Sequence, residues 1–209
     1  YDQGKSDEYK VQTIDLVCFS AGTVVKNITI DPADIGWSTA PGTANGITTE
    51  KVLSVSEVPQ SVDKILVLIN KPSGITITEN TTKWAALKDL KLESNPDLVG
   101  GASQNKFFMT NAPLSDGTHD ITLLVNVSTY TTEAEAMAHT YTVNVERAVG
   151  KVSLSHVDAT STQWTNNTGW EYTLDQAGYE DDKVEFTNWV LDNTTKATYA
   201  IRHYDKSWE

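Results

Sequence analysis

Apolar and polar residues alternate over most of the chain, and β-branched residues carry the alternation, which predicts strands. Ile14, Leu16 and Cys18 fall on one face of a first strand, and Val24, Ile28 and Ile30 on one face of a second. Leu53 and Val55 open a third. The run Lys64-Ile-Leu-Val-Leu-Ile-Asn70 is apolar on both faces, as a central, doubly covered strand should be. Asn70-Lys-Pro-Ser-Gly74 then turns the chain. Between residues 80 and 92 the period changes. Trp84, Leu87 and Leu90 stand three apart, with Thr82 placed to cap, and this predicts one amphipathic helix of about ten residues lying over a sheet.

Lys106-Phe-Phe-Met-Thr110 reads as a short strand closed by Asn111-Ala-Pro113. Farther on, Ile121, Leu123, Val125 and Val127 alternate, and Tyr141, Val143 and Val145 answer them. The two runs predict an antiparallel hairpin joined by a loop with one helical turn. A parity change follows, because Val152 and Leu154 are even-numbered while Tyr141, Val143 and Val145 are odd. One continuous strand cannot bury both sets, so a bulge or crossover is expected at Arg147-Ala-Val-Gly150. This divides the chain into a first domain, 1–150, and the beginning of a second β domain, 151–209. In the latter, Gln163–Gly169 reads as loop, while Val184, Phe186, Asn188 and Val190, then Tyr199 and Ile201, read as strands.

Composition narrows the function classes. The chain has 209 residues, enough for a core that buries roughly 70% of the unfolded surface. Twenty-eight acids against 16 bases give a net charge of −12, which excludes sequence-independent nucleic-acid binding through a basic face and disfavours anionic lipid. The aliphatic run Ile65–Ile69 is far too short to span a membrane. A single cysteine allows no internal disulfide, and Ile14-Asp15-Leu16-Val17 before it is unlike a lipoprotein leader, so Cys18 is expected to be a buried strand thiol. The polar start Tyr1-Asp-Gln-Gly-Lys is unlike a signal peptide and reads as a processed or engineered beginning.

No constellation for catalysis or metal binding stands out. His119, His139, His156 and His203 are scattered, without a second ligand at i+3 or i+4, and read as solvated. Nucleophile elbows, phosphate-binding loops and dinucleotide fingerprints are missing. In Asp31-Pro-Ala-Asp34 the acids are wrongly spaced for calcium, and Asp175, Glu180, Asp181 and Asp182 read as a solvated acidic loop, calcium being its one metal alternative. Five Asn-X-Ser/Thr sequons, at Asn27, Asn80, Asn126, Asn166 and Asn193, are expected by chance in a threonine-rich chain. No catalytic residue, cofactor or metal is therefore expected.

Several segments taken in order resemble a known family. The strand Lys64–Asn70 is followed by Trp84-Ala-Ala-Leu-Lys-Asp-Leu90, then by Phe107-Phe-Met-Thr-Asn-Ala112. Val143-Asn-Val-Glu-Arg-Ala-Val-Gly-Lys-Val-Ser-Leu154 and Val184-Glu-Phe-Thr-Asn-Trp-Val-Leu-Asp-Asn-Thr-Thr-Lys-Ala-Thr-Tyr199 complete the set. Over residues 60–204 this order resembles the Bacteroidales fimbrillins, nearest the minor-type, Mfa-like fimbrial shaft subunits. The resemblance implies an all-β fold, a transthyretin-like β-sandwich with one short helix plus the start of a second β-sandwich domain. It also implies export as a lipoprotein precursor, trimming by an Arg/Lys-specific protease immediately before Tyr1, and polymerisation by donor-strand insertion. The product would be an extracellular fimbrium attached to the bacterial outer membrane. The leader is absent and the second domain short, so on this reading the chain is a fragment.

The groove for the donated strand is expected in the N-terminal sheet, with Ile14, Leu16, Ile65, Val67 and Ile69 as walls. Expected partners are other fimbrial subunits, in a homopolymer with anchor and tip subunits, and a host or bacterial surface receptor. Two alternatives compete with the structural subunit. One is a carbohydrate- or protein-binding adhesin module using Trp37, Trp164, Trp170 and Trp208; the other is a secreted β-sandwich enzyme.

Overall fold

A computed structural model describes residues 11–34, 50, 52–93, 107–115, 121–148, 164–168, 171–174, 183–185 and 197–202. The chain is all-β, with antiparallel sheets and, among the described residues, two five-residue helices. It divides into two compact units, residues 1–149 with 196–209 and residues 150–195.

In the first unit, β1 (Ile14–Ser20) and β2 (Thr23–Ile30) form a hairpin whose two turn residues, Ala21 and Gly22, both have positive φ, 47° and 77°. That geometry matches the right-handed twist of the two strands. The ladder slips between Cys18 and Phe19, because Cys18 pairs with Lys26 while Phe19 pairs with Val24, leaving Val25 as a bulge. On its other side β1 pairs with β3 (Lys64–Ile69), which is central to the sheet. The order continues through β5 (Met109–Asn111) to β9 (Val145–Arg147), so the sheet runs β2-β1-β3-β5-β9.

Along its outer side β3 changes partners. Leu68 and Ile69 pair with β5, whereas Lys64 and Ile65 pair with β8 (Val125–Asn126). Between these strands the chain runs out through β6 (Leu114–Ser115) and returns through β7 (Ile121–Thr122), which pair with each other. The Asn111 side chain bridges the junction. Its Oδ1 accepts from the Val67 N–H at 2.8 Å, and its Nδ2 donates to the Leu123 and Ile65 carbonyls at 2.9 and 3.3 Å.

The expected hairpin of 121–127 with 141–145 is therefore not formed. Leu123 and Leu124 are both buried at a bend, which breaks the alternation, and β8 and β9 pair with β3 and β5 rather than with each other. Strands that bond to already buried neighbours satisfy their backbone groups inside the sheet. The strand expected at Leu53 and Val55 also finds no ladder among the described residues. Both residues are half-buried and alternate with exposed Ser54 and Ser56, and Glu57 at φ 63° interrupts the extended run.

Helix α1 (Trp84–Lys88) is half the expected length. Lys83, not Thr82, occupies the cap position, and the Thr82 hydroxyl instead accepts from the Thr78 N–H at 2.8 Å. Leu90 lies beyond the helix because β4 (Lys91–Glu93) pairs with β13 (Ala197–Tyr199), which draws the chain into a ladder. The docked face is as expected: Leu87 is buried, and Trp84 and Leu90 pack on the same core. That core lies on one side of the large sheet and joins Val17, Phe19, Val24, Leu66 and Leu68 to Ile75, Leu92, Phe108, Leu123, Leu124, Ala200 and Ile201. Replacing Leu87 with Asp would bury a charge without a partner and should cost on the order of 3 kcal/mol. A variant that unfolds at the parental urea midpoint would show that α1 is not docked.

Residues 197–202 contact the first unit. Tyr199 pairs with Lys91 and places its ring under that side chain, the ammonium 5.3 Å from the ring centroid. Just after the strand, Arg202 Nη1 lies 3.0 Å from Glu146 Oε2. The second unit, Gly150–Thr195, contains a three-stranded meander of β10 (Trp164–Thr168), β11 (Glu171–Leu174) and β12 (Lys183–Glu185). Trp164–Thr168 is thus a strand where a loop was expected. Its sequence, Trp-Thr-Asn-Asn-Thr, has no apolar alternation, and its ladder with β11 is what makes it a strand. The segments after Arg147-Ala148 and after Glu185, including Phe186, Asn188 and Val190, lie outside the described residues.

Candidate strand-accepting face

Register alone brings the five expected wall residues together. Ile14 pairs with Ile69 and Leu16 with Val67, while Ile65 stands opposite Cys18. Since β1 and β3 alternate in step, all of these side chains project from one face, opposite to Val17, Phe19, Leu66 and Leu68. The neighbouring strands extend the face. Ile30 lies beside Ile14 and Ile28 beside Leu16, and on the far side Met109 lies beside Ile69. Val145 pairs with Asn111 at the sheet's other border.

This face is apolar and buried to different degrees along its length. Val11, Ile14 and Ile69 form a small buried cluster, with Ile30, Val67, Met109 and Val145 packed against it. Leu16, Ile28 and Ile65 are half-buried. The period-two pattern could identify Ile14, Leu16, Ile65, Val67 and Ile69 as face-sharing within each strand. The contribution of Met109 was missed because its strand is only three residues long, and that of Val145 because its alternation with Tyr141 and Val143 was assigned to a hairpin with residues 121–127.

The border at β2 is partly closed. Val24 N–H donates to the Thr82 carbonyl at 2.9 Å, Asn80 N–H to the Val24 carbonyl at 2.7 Å, and Trp84 N–H to the Gly22 carbonyl at 2.9 Å. Glu79 Oε1 takes the next outward donor, the Asn27 N–H, at 2.9 Å. Beyond Asn27, no strand pairs with this border among the described residues. The opposite face stays polar at this end. Asp15 is buried, and its Oδ1 accepts from the Thr29 hydroxyl at 2.8 Å and from Asn27 Nδ2 at 3.3 Å.

Cys18 lies on the apolar face and is fully buried, as expected of a strand thiol. Burial, and secondarily the charge of Glu79, pushes its thiol up to about 11, and Lys26 only partly offsets this. The folded protein therefore favours the neutral thiol. The stability this contributes is present below about pH 9 and is lost as the pH rises toward 11. A thiol-disulfide reagent at pH 8 should leave the native protein unlabelled and modify one equivalent after denaturation. Rapid native labelling would contradict the placement of Cys18.

Of the other histidine, tryptophan and acidic-loop candidates, His139, Trp164, Asp31 and Asp34 lie in described segments. His119, His156 and His203, the Asp175–Asp182 acids, and Trp37, Trp170 and Trp208 lie outside them. Among the described residues, no three His, Cys, Asp or Glu side chains gather closely enough to hold a metal ion. No described helix is long and apolar enough to cross a membrane. No family model and no curated protein matches the chain.

Proposed function

We propose that the chain is a structural, non-catalytic subunit of a bacterial cell-surface fimbria that polymerises by accepting a strand donated by another subunit. On this reading the large sheet belongs to a transthyretin-like β-sandwich and the second unit to a further β-sandwich domain. The mature form arises by proteolytic trimming of a precursor, and the filament is extracellular and tethered to the outer membrane. Its partners are further copies, anchor and tip subunits, and a surface receptor.

The observation that carries the reading is the apolar face of the sheet, half-buried at Leu16, Ile28, Ile30, Ile65 and Val67, which reaches the β2 border. A strand laid along β2 beyond Asn27 would continue the two apolar rows that start at Ile30 and Ile28. It would supply backbone hydrogen bonds and alternate side chains together. A joint made by completing a core separates slowly, since the donated strand must leave both the ladder and the apolar face.

The test compares the untrimmed precursor with the trimmed protein. The trimmed form should give SDS-resistant ladders and the precursor should not. Leu16→Asp in the trimmed form should abolish laddering while the monomer remains folded, because Leu16 is only half-buried. Equal laddering from the precursor, or ladders that survive Leu16→Asp, would overturn the mechanism.

A further inference from the structure

Residues 127–144 leave the large sheet after β8 and rejoin it at β9, passing through α2 (Glu133–Met137), a helix with no buried residue. Local hydrogen bonds hold this loop in place of core packing. The Thr132 hydroxyl caps α2 by accepting from the Glu135 N–H at 3.2 Å. Glu135 Oε2 accepts from the Thr131 N–H at 3.0 Å and from the Thr131 hydroxyl at 2.8 Å, which holds the Glu135 carboxyl below its ordinary range. Gln60 Nε2 donates to the Tyr130 carbonyl at 2.7 Å.

The aromatic residues are fixed in the same way. The Tyr130 and Tyr141 hydroxyls are hydrogen-bonded to each other, and the Tyr141 hydroxyl also accepts from the Ser128 N–H at 2.9 Å. The Tyr130 ring stacks on His139 with centroids 4.7 Å apart and planes inclined at 27°. Tyr130 and Tyr141 are half-buried and His139 is exposed. Two residues before His139, at the end of α2, Met137 is 74% exposed. A surface loop that adds nothing to a core, yet holds its rings in fixed positions, has already met the ordering cost that a ligand would otherwise impose.

We propose that Tyr130, His139 and Tyr141 form a contact site for a neutral saccharide. Flat aromatic faces complement the C–H faces of a pyranose, and phenol, imidazole and threonine groups hydrogen-bond its hydroxyls. Charge argues for a neutral ligand over an anionic one. Residues 127–144 contain Glu133 and Glu135 and no lysine or arginine, on a chain of net charge −12. This site is independent of the strand-accepting face and of the fimbrial reading.

The chain's two methionines separate the two surfaces, since Met137 lies in the loop and Met109 on the sheet face. Methyl-labelled methionine therefore gives two NMR signals, one for each. Titration with methyl galactoside, methyl mannoside and methyl N-acetylglucosaminide should move the Met137 signal saturably for at least one sugar and leave Met109 still. His139→Ala, at an exposed position, should weaken that response at least tenfold with the Met109 signal unchanged as the control for folding. No movement with any sugar, movement of Met109 in place of Met137, or an unaltered response in His139→Ala would each overturn the proposal. So would a Met137 response confined to tri-lysine, which would assign the loop to cationic peptides. Failure here leaves the laddering test untouched, and failure of laddering leaves this one untouched.

Discussion

Asn111→Asp should destabilise the protein by on the order of 4 kcal/mol at neutral pH, more than Asn111→Ala does, although aspartate matches asparagine in shape. Asn111 is 1% exposed, and its amide serves three backbone groups from two elements, at Ile65, Val67 and Leu123. Alanine leaves those groups without a partner, at a cost of about 3 kcal/mol. Aspartate keeps the acceptor for the Val67 N–H but directs a carboxylate oxygen at two carbonyls. Burial and those carbonyls raise the new carboxyl's pKa, so the charged form is disfavoured in the folded state. The Asn111→Asp penalty is therefore largest above the folded pKa and fades as the pH falls through it. Urea unfolding at pH 7 and pH 4 measures this directly. An Asp variant as stable as the parent at pH 7 would show that the amide does not bridge the junction.

Phe19→Ala should cost about 4 kcal/mol. Phe19 is fully buried at the end of β1, and its ring meets Trp84 edge to face, with centroids 6.0 Å apart and planes at 82°. The loss combines transfer of the ring from water with a cavity that the sheet beneath and α1 above cannot both close. Part of it belongs to the aromatic pair itself. A cycle of Phe19→Ala, Trp84→Ala and the double variant should show a coupling of roughly 1 kcal/mol. Strict additivity would mean that the two rings stabilise the core separately.

These positions also mark where the sequence was readable. Strands β1, β2 and β3 were legible because each is six to eight residues long and rich in apolar and β-branched residues, β3 on both faces. Their register puts Ile14, Leu16, Ile65, Val67 and Ile69 on one face. Alternation cannot say whether another part of the chain covers that face, since covering is a long-range event. The same limit explains β4. Lys91–Glu93 continues a helix-like spacing from Leu87 and Leu90, and only β13, more than a hundred residues later, makes it a strand. Asn111 reads locally as a turn residue before Ala112-Pro113, and its role at the junction depends on β3 and Leu123 together. The aromatic loop was legible only as a connection, because stacking of Tyr130 on His139 leaves no periodic trace.

The pairing of β13 with β4 also sets an order of events for the growing chain. Leu92 and the rest of the principal core are completed by Ala200 and Ile201, which are made after the whole of the second unit. About 50 residues separate Arg147 from Ala197. At ordinary synthesis rates the first unit therefore waits roughly 3–10 s with that part of its core open. An aggregation-prone intermediate should form in this interval, whether the chain emerges from a ribosome or from a translocation pore, and chaperones that hold extended segments would find their substrate there.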